Sequence, residues 1–269
     1  MTQVIEKQLS FIVSSETANG ALNVSDDGST FSVQLDTPIA IPHTARNCTL
    51  EVNQADVWWV IPNISMELSN NMFYFTSTAG YGTPYQFEIP KGLYSVASLN
   101  NLFSKELVNL GFPADTFVLS GDASTQKTVL TFNAANIAID FKNHDDTPRE
   151  ILGFDAEYVP VAGSTVGQTV FGDNVAAFNT VNSFLLHASL VNQGIPVNST
   201  GASIIAKVPI DVSPGSQIVY APRQPVRTGA DNLIGLTMNR FDVWLTDRRN
   251  AAIDTNGEAF SATLVLRWK

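Results

Sequence analysis

Regular alternation of apolar and polar residues near the C-terminus is the feature that most constrains the fold of this chain. Phe260, Leu264 and Trp268 fall on one side of this segment, whereas Thr263 and Arg267 fall on the other. A period of two is typical of a β-strand with one buried and one exposed side. The same pattern recurs between Pro and Gly residues and predicts an all-β protein, with strands near residues 31–41, 48–60, 71–77, 85–90, 117–120, 128–133, 137–141, 183–191, 203–210, 217–221, 238–246 and 260–268.

One segment has a helical period instead. Its apolar residues recur at spacings of three and four, between a possible N-cap at Ser95 and Gly111: Val96, Leu99, Leu102, Phe103, Leu107 and Leu110. A second, short helical turn is predicted from Pro148 to Gly153. Residues 91–160 are therefore predicted to form a small α+β insertion between β segments.

The charged residues are few and unevenly distributed. They make up 15 % of the chain, against about 25 % in ordinary soluble domains. Residues 1–200 carry 7 basic and 19 acidic side chains, a balance of −12, whereas residues 201–269 carry 8 and 6, a balance of +2. The net charge of −10 argues against a general nucleic-acid binder. The arginines of the basic end are either solvated or face an acidic neighbour or lipid headgroups: Arg223, Arg227, Arg240, Arg248 and Arg249.

The sequence has no motif that predicts catalysis. His43, His144 and His187 are far apart, and a structural role is predicted for each. Neither a Gly-x-Ser-x-Gly motif nor a phosphate-binding P-loop is found. Cys48 lies in an alternating run and is predicted to be a core residue. We therefore expect a protein that is not an enzyme, with no catalytic residue, cofactor or metal site.

Two other groups of residues have alternative interpretations. Residues 254–258, with the sequence Asp-Thr-Asn-Gly-Glu, could bind calcium, but Asn256–Gly257 is more typical of a turn between the strands near 241–247 and 260–268. Three aromatic groups could stack against a sugar: Trp58–Trp59, Phe73–Tyr74–Phe75, and Tyr81 with Tyr85. Alternation predicts that at least one ring of each group faces the core, and that the remaining rings cover the insertion, face a subunit contact or bind a ligand.

The N-terminus lacks a secretory signal, and no apolar run is long enough to cross a membrane. A soluble protein made in the cytoplasm is therefore expected.

Several short motifs within residues 85–269 resemble capsid proteins of tailless icosahedral viruses. The resemblance is to the adenovirus-like and polinton-like lineage, which includes internal-membrane phages, and is strongest to its penton, or vertex, proteins. The motifs are Ile89-Pro90-Lys91-Gly92-Leu93-Tyr94-Ser95, Leu99-Asn100, Leu152-Gly153-Phe154, Asn182-Ser183-Phe184-Leu185, Val212-Ser213-Pro214-Gly215, Leu245-Thr246-Asp247 and Ile253-Asp254-Thr255-Asn256-Gly257-Glu258.

The resemblance implies a jelly-roll β-sandwich of eight strands in two sheets. The alternation itself supports a sandwich but not a strand order. We expect residues 1–25 to form an N-terminal arm or strand, residues 26–90 and 183–269 the jelly roll, residues 91–160 the insertion and residues 161–182 a connector loop. Two smaller jelly rolls, as in major capsid proteins of this lineage, are the alternative, but the single helix and the insertion favour one.

The function implied is that of a virion protein, synthesised in the host cytoplasm, that assembles with copies of itself into the icosahedral shell. A pentamer is favoured over a trimer. Other capsid proteins are further expected partners. An internal membrane or a host receptor is a possible additional partner, whereas binding to a specific nucleic-acid sequence is not expected. Candidate subunit contacts are Trp58, Trp59, Arg223, Arg227 and Arg240. A major capsid protein or a carbohydrate-binding β-sandwich is the alternative.

Overall fold

The computed structural model describes residues 6–78, 82–178, 181–192, 194–195 and 203–269. Its strands are β1 Lys7–Ser14, β2 Ala21–Leu22, β3 Thr30–Ala40, β4 Thr49–Trp58, β5 Met72–Thr76, β6 Tyr85–Glu88, β7 Phe117–Asp122, β8 Lys127–Phe132, β9 Ala138–Asp140, β10 Tyr158–Val159, β11 Gln168–Phe171, β12 Ser183–Ala188, β13 Ile204–Pro209, β14 Gln217–Tyr220, β15 Thr228–Gly229, β16 Thr237–Thr246 and β17 Ser261–Trp268. The α-helices are α1 Val96–Asn109 and α2 Arg149–Leu152, with 3-10 turns at Thr17–Asn19 and Asp231–Leu233. Among the described residues, no helix has the length and apolar character to span a membrane.

The chain divides into two compact units. The jelly-roll unit comprises Met1–Ile61 and Val181–Lys269, and the inserted unit comprises Pro62–Thr180. The insertion therefore interrupts the jelly-roll unit between β4 and β12.

Two antiparallel sheets form the jelly-roll unit. The first has the order β1-β17-β4-β14, with β15 also paired to β4, and the second has the order β13-β12-β16-β3-β2. The eight longer strands of the jelly-roll unit are, in chain order, β1, β3, β4, β12, β13, β14, β16 and β17. If these are numbered from 1 to 8, the order is 1-8-3-6 in the first sheet and 5-4-7-2 in the second. This is the strand order of a jelly roll, in which most connections cross between the two sheets. The predicted all-β fold is confirmed, as a single jelly roll.

The two sheets pack face to face through apolar side chains. Phe11 of β1 contacts Phe241 of β16 edge-on with ring centroids 5.6 Å apart, and Phe31 of β3 contacts Phe260 just before β17 at 5.2 Å. At the other side of the sandwich, β13 contacts β4. The strands β1 and β3 thus lie on one side of the unit, and β13 and β14 on the other.

The inserted unit has its own core. It contains a sheet of order β10-β9-β5-β6, a sheet of order β11-β8-β7, and α1, which packs against β7. Phe73 lies at the centre of an aromatic cluster, 4.4 Å from Phe103 and 5.8 Å from Phe117 between ring centroids. The predicted helix is confirmed, including its start, because the Ser95 hydroxyl accepts a hydrogen bond from the Ser98 amide. The short helical turn that ends at Gly153 is also present.

The unit boundaries differ from the expected ones. Strands β5 and β6 were expected in the sandwich, but they pair with each other and β5 pairs with β9 in the inserted unit. Their places in the jelly roll are taken by β1 and β13. Alternation shows which side of a strand is buried but does not identify its neighbour, so strands of the two units look alike in sequence.

The predicted N-terminal arm or strand and the predicted connector loop both contain strands. Residues 1–25 include β1 and β2, with residues 1–5 outside the described part of the chain. The expected connector at 161–182 contains β11, which pairs with β8, and its residues 179 and 180 are not among the described residues.

Candidate functional site

The outward face of the β1-β17-β4-β14 sheet combines exposed apolar side chains with two carboxylates, Glu51 beside two arginines and Asp56 beside neutral donors. Its residues alternate along each strand with core residues such as Leu50, Leu264 and Leu266, which are fully buried. We call this surface the outer face. It consists of Ser10, Ile12 and Ser14 of β1, Ser261, Thr263, Val265 and Arg267 of β17, Glu51, Gln54, Asp56 and Trp58 of β4, and Gln217 and Val219 of β14.

Three apolar side chains of the outer face are exposed. Ile12 is 76 % exposed, Val219 58 % and Trp58 37 %. Ile12 lies on one edge strand of the sheet and Val219 on the other. These side chains give the outer face exposed apolar area on both of its edge strands and on β4.

A buried carboxylate with two arginines occupies one end of the outer face. Glu51 is 4 % exposed, and its Oε1 lies 2.7 Å from Nε of Arg227 and 3.1 Å from Nε of Arg267. These are ion-pair distances, although the N–H groups do not point at Oε1 well enough to count as hydrogen bonds. Glu6 lies 3.4 Å from Arg227 and 3.6 Å from Arg267. Two carboxylates therefore balance two guanidinium groups, which offsets the cost of burying Glu51.

Asp56 is the charged residue at the other end of the outer face. Its carboxylate accepts hydrogen bonds from Nε2 of Gln54 at 2.9 and 3.1 Å and from the hydroxyl of Ser261 at 3.4 Å. Because these donors are neutral, Asp56 keeps its negative charge, and among the described residues no cation lies within ion-pair distance of it. Burial of this face against another protein surface therefore requires a cation or further hydrogen-bond donors opposite Asp56.

The five candidate contact residues do not form one site. Trp58 and Arg227 lie on or over the outer face, and Arg223 is exposed in the segment that follows β14. Trp59 is 7 % exposed, and its backbone bonds to Ser216 and Gly215, so its ring belongs to the core. Arg240 lies on the other sheet, where it donates a hydrogen bond to Ser32 at 2.9 Å. Sequence analysis missed Ile12 and Val219, although alternation along β1 and β14 could have indicated them.

A buried histidine lies on the second sheet. His187 of β12 is 1 % exposed, and its ring stacks against Trp244 with centroids 5.0 Å apart. Nδ1 lies 3.0 Å from the Ser203 hydroxyl and Nε2 lies 2.8 Å from the Thr246 hydroxyl. Burial lowers the pKa of His187 to about 4, so the ring is neutral at physiological pH.

The carboxylates considered for calcium binding are in a turn. Asn256 and Gly257 have positive φ angles of 53° and 82°, and the Glu258 amide donates to the Thr255 carbonyl. The turn is as predicted, but its flanking strands β16 and β17 belong to different sheets and do not pair with each other. Within the described part of the chain, no group of three or more acidic, His or Cys side chains is arranged to hold a metal ion.

Three of the seven aromatic side chains considered for sugar stacking are buried in the inserted unit: Phe73, Tyr74 and Phe75. Phe73 and Phe75 are fully buried, and Tyr74 stacks on His144 with centroids 3.6 Å apart. Tyr85 is 40 % exposed and stacks on Phe75, whereas Tyr81 lies outside the described residues. Phe73 and Phe75 are thus the rings of their group that face the core.

Two open pockets lie on the inserted unit, with volumes of about 400 and 480 Å³. The first is lined by Arg149, whose Nη1 lies 3.3 Å from the Asp145 carboxylate. The second is lined by Lys127, which donates to the Asp173 carbonyl at 2.8 Å. The cation in each pocket is thus already bonded within the chain.

Comparison with known proteins gives matches among solved structures alone. No protein-family model matches the sequence, and no curated protein gives a significant match to it. Among solved structures, the chain is similar to the crystal structure of the mavirus penton protein, with 11 % sequence identity and a TM-score of 0.48 over 98 % of this chain and 100 % of that one.

Proposed function

We propose that this chain is a non-enzymatic structural protein of a virus capsid, located in the virion and acting by self-association. The role favoured is that of the penton, with a major capsid protein as the alternative. Two lines of reasoning support a capsid role: the strand order of a single jelly roll, and the resemblance of motifs within residues 85–269 to penton-type capsid proteins. Because one fold hosts many functions, the strand order alone does not imply self-association, which depends on the surface.

The outer face is the observation that carries the proposal. Its buried carboxylate is neutralised by Arg227 and Arg267, and its remaining carboxylate, Asp56, is covered by neutral donors. Exposed Ile12 and Val219 offer apolar area on the same face. Burial of these apolar groups between subunits gains free energy, provided that a cation or further hydrogen-bond donors of the facing subunit meet Asp56.

The test is the native mass of the purified chain in solution, measured by sedimentation at about physiological ionic strength and over a range of protein concentrations. A pentamer is the expected result and supports the penton role. A trimer would overturn the penton role and favour a major capsid building block. A chain that stays monomeric at the highest concentration would refute self-association.

A further inference from the structure

The chain contains two Asn-Gly pairs, Asn19–Gly20 and Asn256–Gly257, and both are exposed in turns of the jelly-roll unit. An Asn that precedes Gly is prone to lose its side-chain amide, because Gly has no side chain to keep its backbone nitrogen away from the Asn side chain. In this reaction the Gly nitrogen bonds to Cγ of the Asn. Hydrogen bonds that hold either group in place therefore slow the reaction, and exposure alone does not distinguish the two pairs.

The reacting groups of the first pair are both held by hydrogen bonds. Nδ2 of Asn19 donates to Oε2 of Glu16 at 2.8 Å, and the Gly20 amide donates to the Thr17 carbonyl at 3.0 Å. The backbone amide of Asn19 also donates to the Glu16 carbonyl at 3.0 Å, within the 3-10 turn. Bringing the Gly20 nitrogen to Cγ of Asn19 would break these hydrogen bonds.

The reacting groups of the second pair are not held in this way. The turn is closed by the Glu258 amide, which donates to the Thr255 carbonyl at 3.0 Å, and the backbone amide of Asn256 donates to the Asp254 carboxylate at 2.8 Å. Among the described residues, neither the side chain of Asn256 nor the backbone nitrogen of Gly257 has a hydrogen-bond partner. The space beside Gly257 is also open. Opening this turn therefore costs fewer hydrogen bonds than opening the turn at Asn19.

We propose that Asn256 is a site of spontaneous deamidation and the more reactive of the two Asn-Gly pairs. The Gly257 nitrogen bonds to Cγ of Asn256, and the side-chain NH2 leaves as ammonia with the proton of the Gly257 amide. The product is a cyclic succinimide. Water then opens this ring at either carbonyl carbon and yields Asp or isoaspartate, so neither an enzyme nor an oxidant is required. This inference does not depend on the proposed self-association.

Either product changes the loop between β16 and β17. Each places a new carboxylate between Asp254 and Glu258, which increases the negative charge of the turn. Isoaspartate also adds a carbon atom to the main chain. Because the neighbouring Thr255 amide donates to the Asp27 carbonyl at 2.8 Å, the isoaspartate product is expected to disturb the contact of this turn with the segment before β3.

The test follows both pairs in the full-length chain during incubation in mildly alkaline buffer below the melting temperature, since the Gly nitrogen must lose its proton to react. Mass spectrometry of peptides, with fragmentation to locate the change, measures the modified fraction at Asn19 and Asn256 over time. Asn256 is expected to react at least about tenfold faster than Asn19, because two hydrogen bonds hold the reacting groups of the Asn19 pair. In denaturant, which is the matched control, the two pairs should react at similar rates.

Three outcomes would overturn the proposal. The first is an equal rate at the two pairs in the folded chain, and the second is a folded chain that stays unmodified at Asn256 while the denatured chain reacts there. The third concerns Asn256→Asp, which suits the positive φ of this position but has no side-chain amide to lose. This variant should release much less ammonia than the original protein, and equal release would place the reaction at other residues.

A second variant tests the protection at Asn19. Glu16→Ala removes the acceptor of the Asn19 side chain and leaves the turn at Asn256 untouched. The rate of deamidation should therefore rise at Asn19 and stay the same at Asn256. An unchanged rate at Asn19 would contradict the argument that side-chain hydrogen bonding distinguishes the two pairs.

Discussion

Acidification is expected to destabilise the jelly-roll unit through one buried side chain, His187. Its pKa falls from an ordinary value of 6.5 to about 4 because burial penalises the charged ring. Between these two values, the unfolded chain binds a proton at this site while the folded chain does not. The free energy of unfolding therefore falls as the pH drops from 6.5 to about 4, and His187 has no such effect above pH 6.5.

The magnitude follows from the size of the shift. A change of one pKa unit corresponds to about 1.4 kcal/mol, so a drop from 6.5 to about 4 corresponds to about 3 kcal/mol lost at the acid end. The contacts explain why the neutral ring is preferred: both nitrogens face hydroxyl groups, of Ser203 and Thr246, and the ring lies against Trp244. A hydroxyl can serve either tautomer of a neutral histidine, but it does not neutralise an imidazolium.

Urea unfolding followed by tryptophan fluorescence measures this loss in the jelly-roll unit alone. All four tryptophans of the chain, Trp58, Trp59, Trp244 and Trp268, lie in that unit. The pH dependence of His187→Gln, which cannot titrate, is subtracted from that of the original protein to remove the contribution of the carboxylates.

A clear result would refute this reasoning. If the difference between the original protein and His187→Gln stays constant from about pH 7 to 4, the ring is not held neutral by burial. A histidine NMR titration gives an independent measurement, because the resonance lost in His187→Gln should titrate near pH 4 and not near 6.5.

Two substitutions test the packing of the inserted unit, each by calorimetry. Gly153→Ala is expected to lower the free energy of unfolding by more than the roughly 1–2 kcal/mol that a positive φ costs, because the added Cβ would collide with the Asn174 carbonyl. Gly111→Ala, at a similar φ but with open space around the Cβ, should show the φ effect alone. Equal losses in the two variants would contradict the collision. Phe73→Ala should lower the free energy of unfolding by about 3–5 kcal/mol, because this fully buried ring contacts the aromatic cluster. Phe171→Ala, at a ring that is 51 % exposed, should lower it much less. Similar losses in the two variants would contradict the central place of Phe73.

Local sequence patterns were sufficient to predict the helix and many of the strands, because these depend on residues close together in the chain. Helix α1 and its N-cap at Ser95 could be predicted because the apolar period and the capping hydroxyl lie within a few residues of each other. Strand positions could be predicted because alternation reports one buried side. The burial of Cys48, at 1 % exposure, followed from the same pattern.

The partners of each strand could not be predicted in this way. Strands β5 and β6 alternate as well as jelly-roll strands do but pair within the inserted unit. Strand β1 has a single buried residue, Val13, and yet it forms an edge of the first sheet. Pairing depends on contacts between residues far apart in sequence, which no local pattern encodes.

For the candidate site too, some properties follow from the sequence and others only from the tertiary structure. Sequence alone determined which residues are charged, that the basic excess lies in the C-terminal quarter, and that adjacent residues such as Trp58 and Trp59 face opposite sides of a strand. The tertiary structure decided that Trp58 is the exposed one, that Arg227 is engaged with Glu51, and that Ile12 and Val219 end up on opposite edges of one sheet. The reason is that exposure and charge pairing are properties of neighbours, and in a jelly roll most neighbours come from distant parts of the chain.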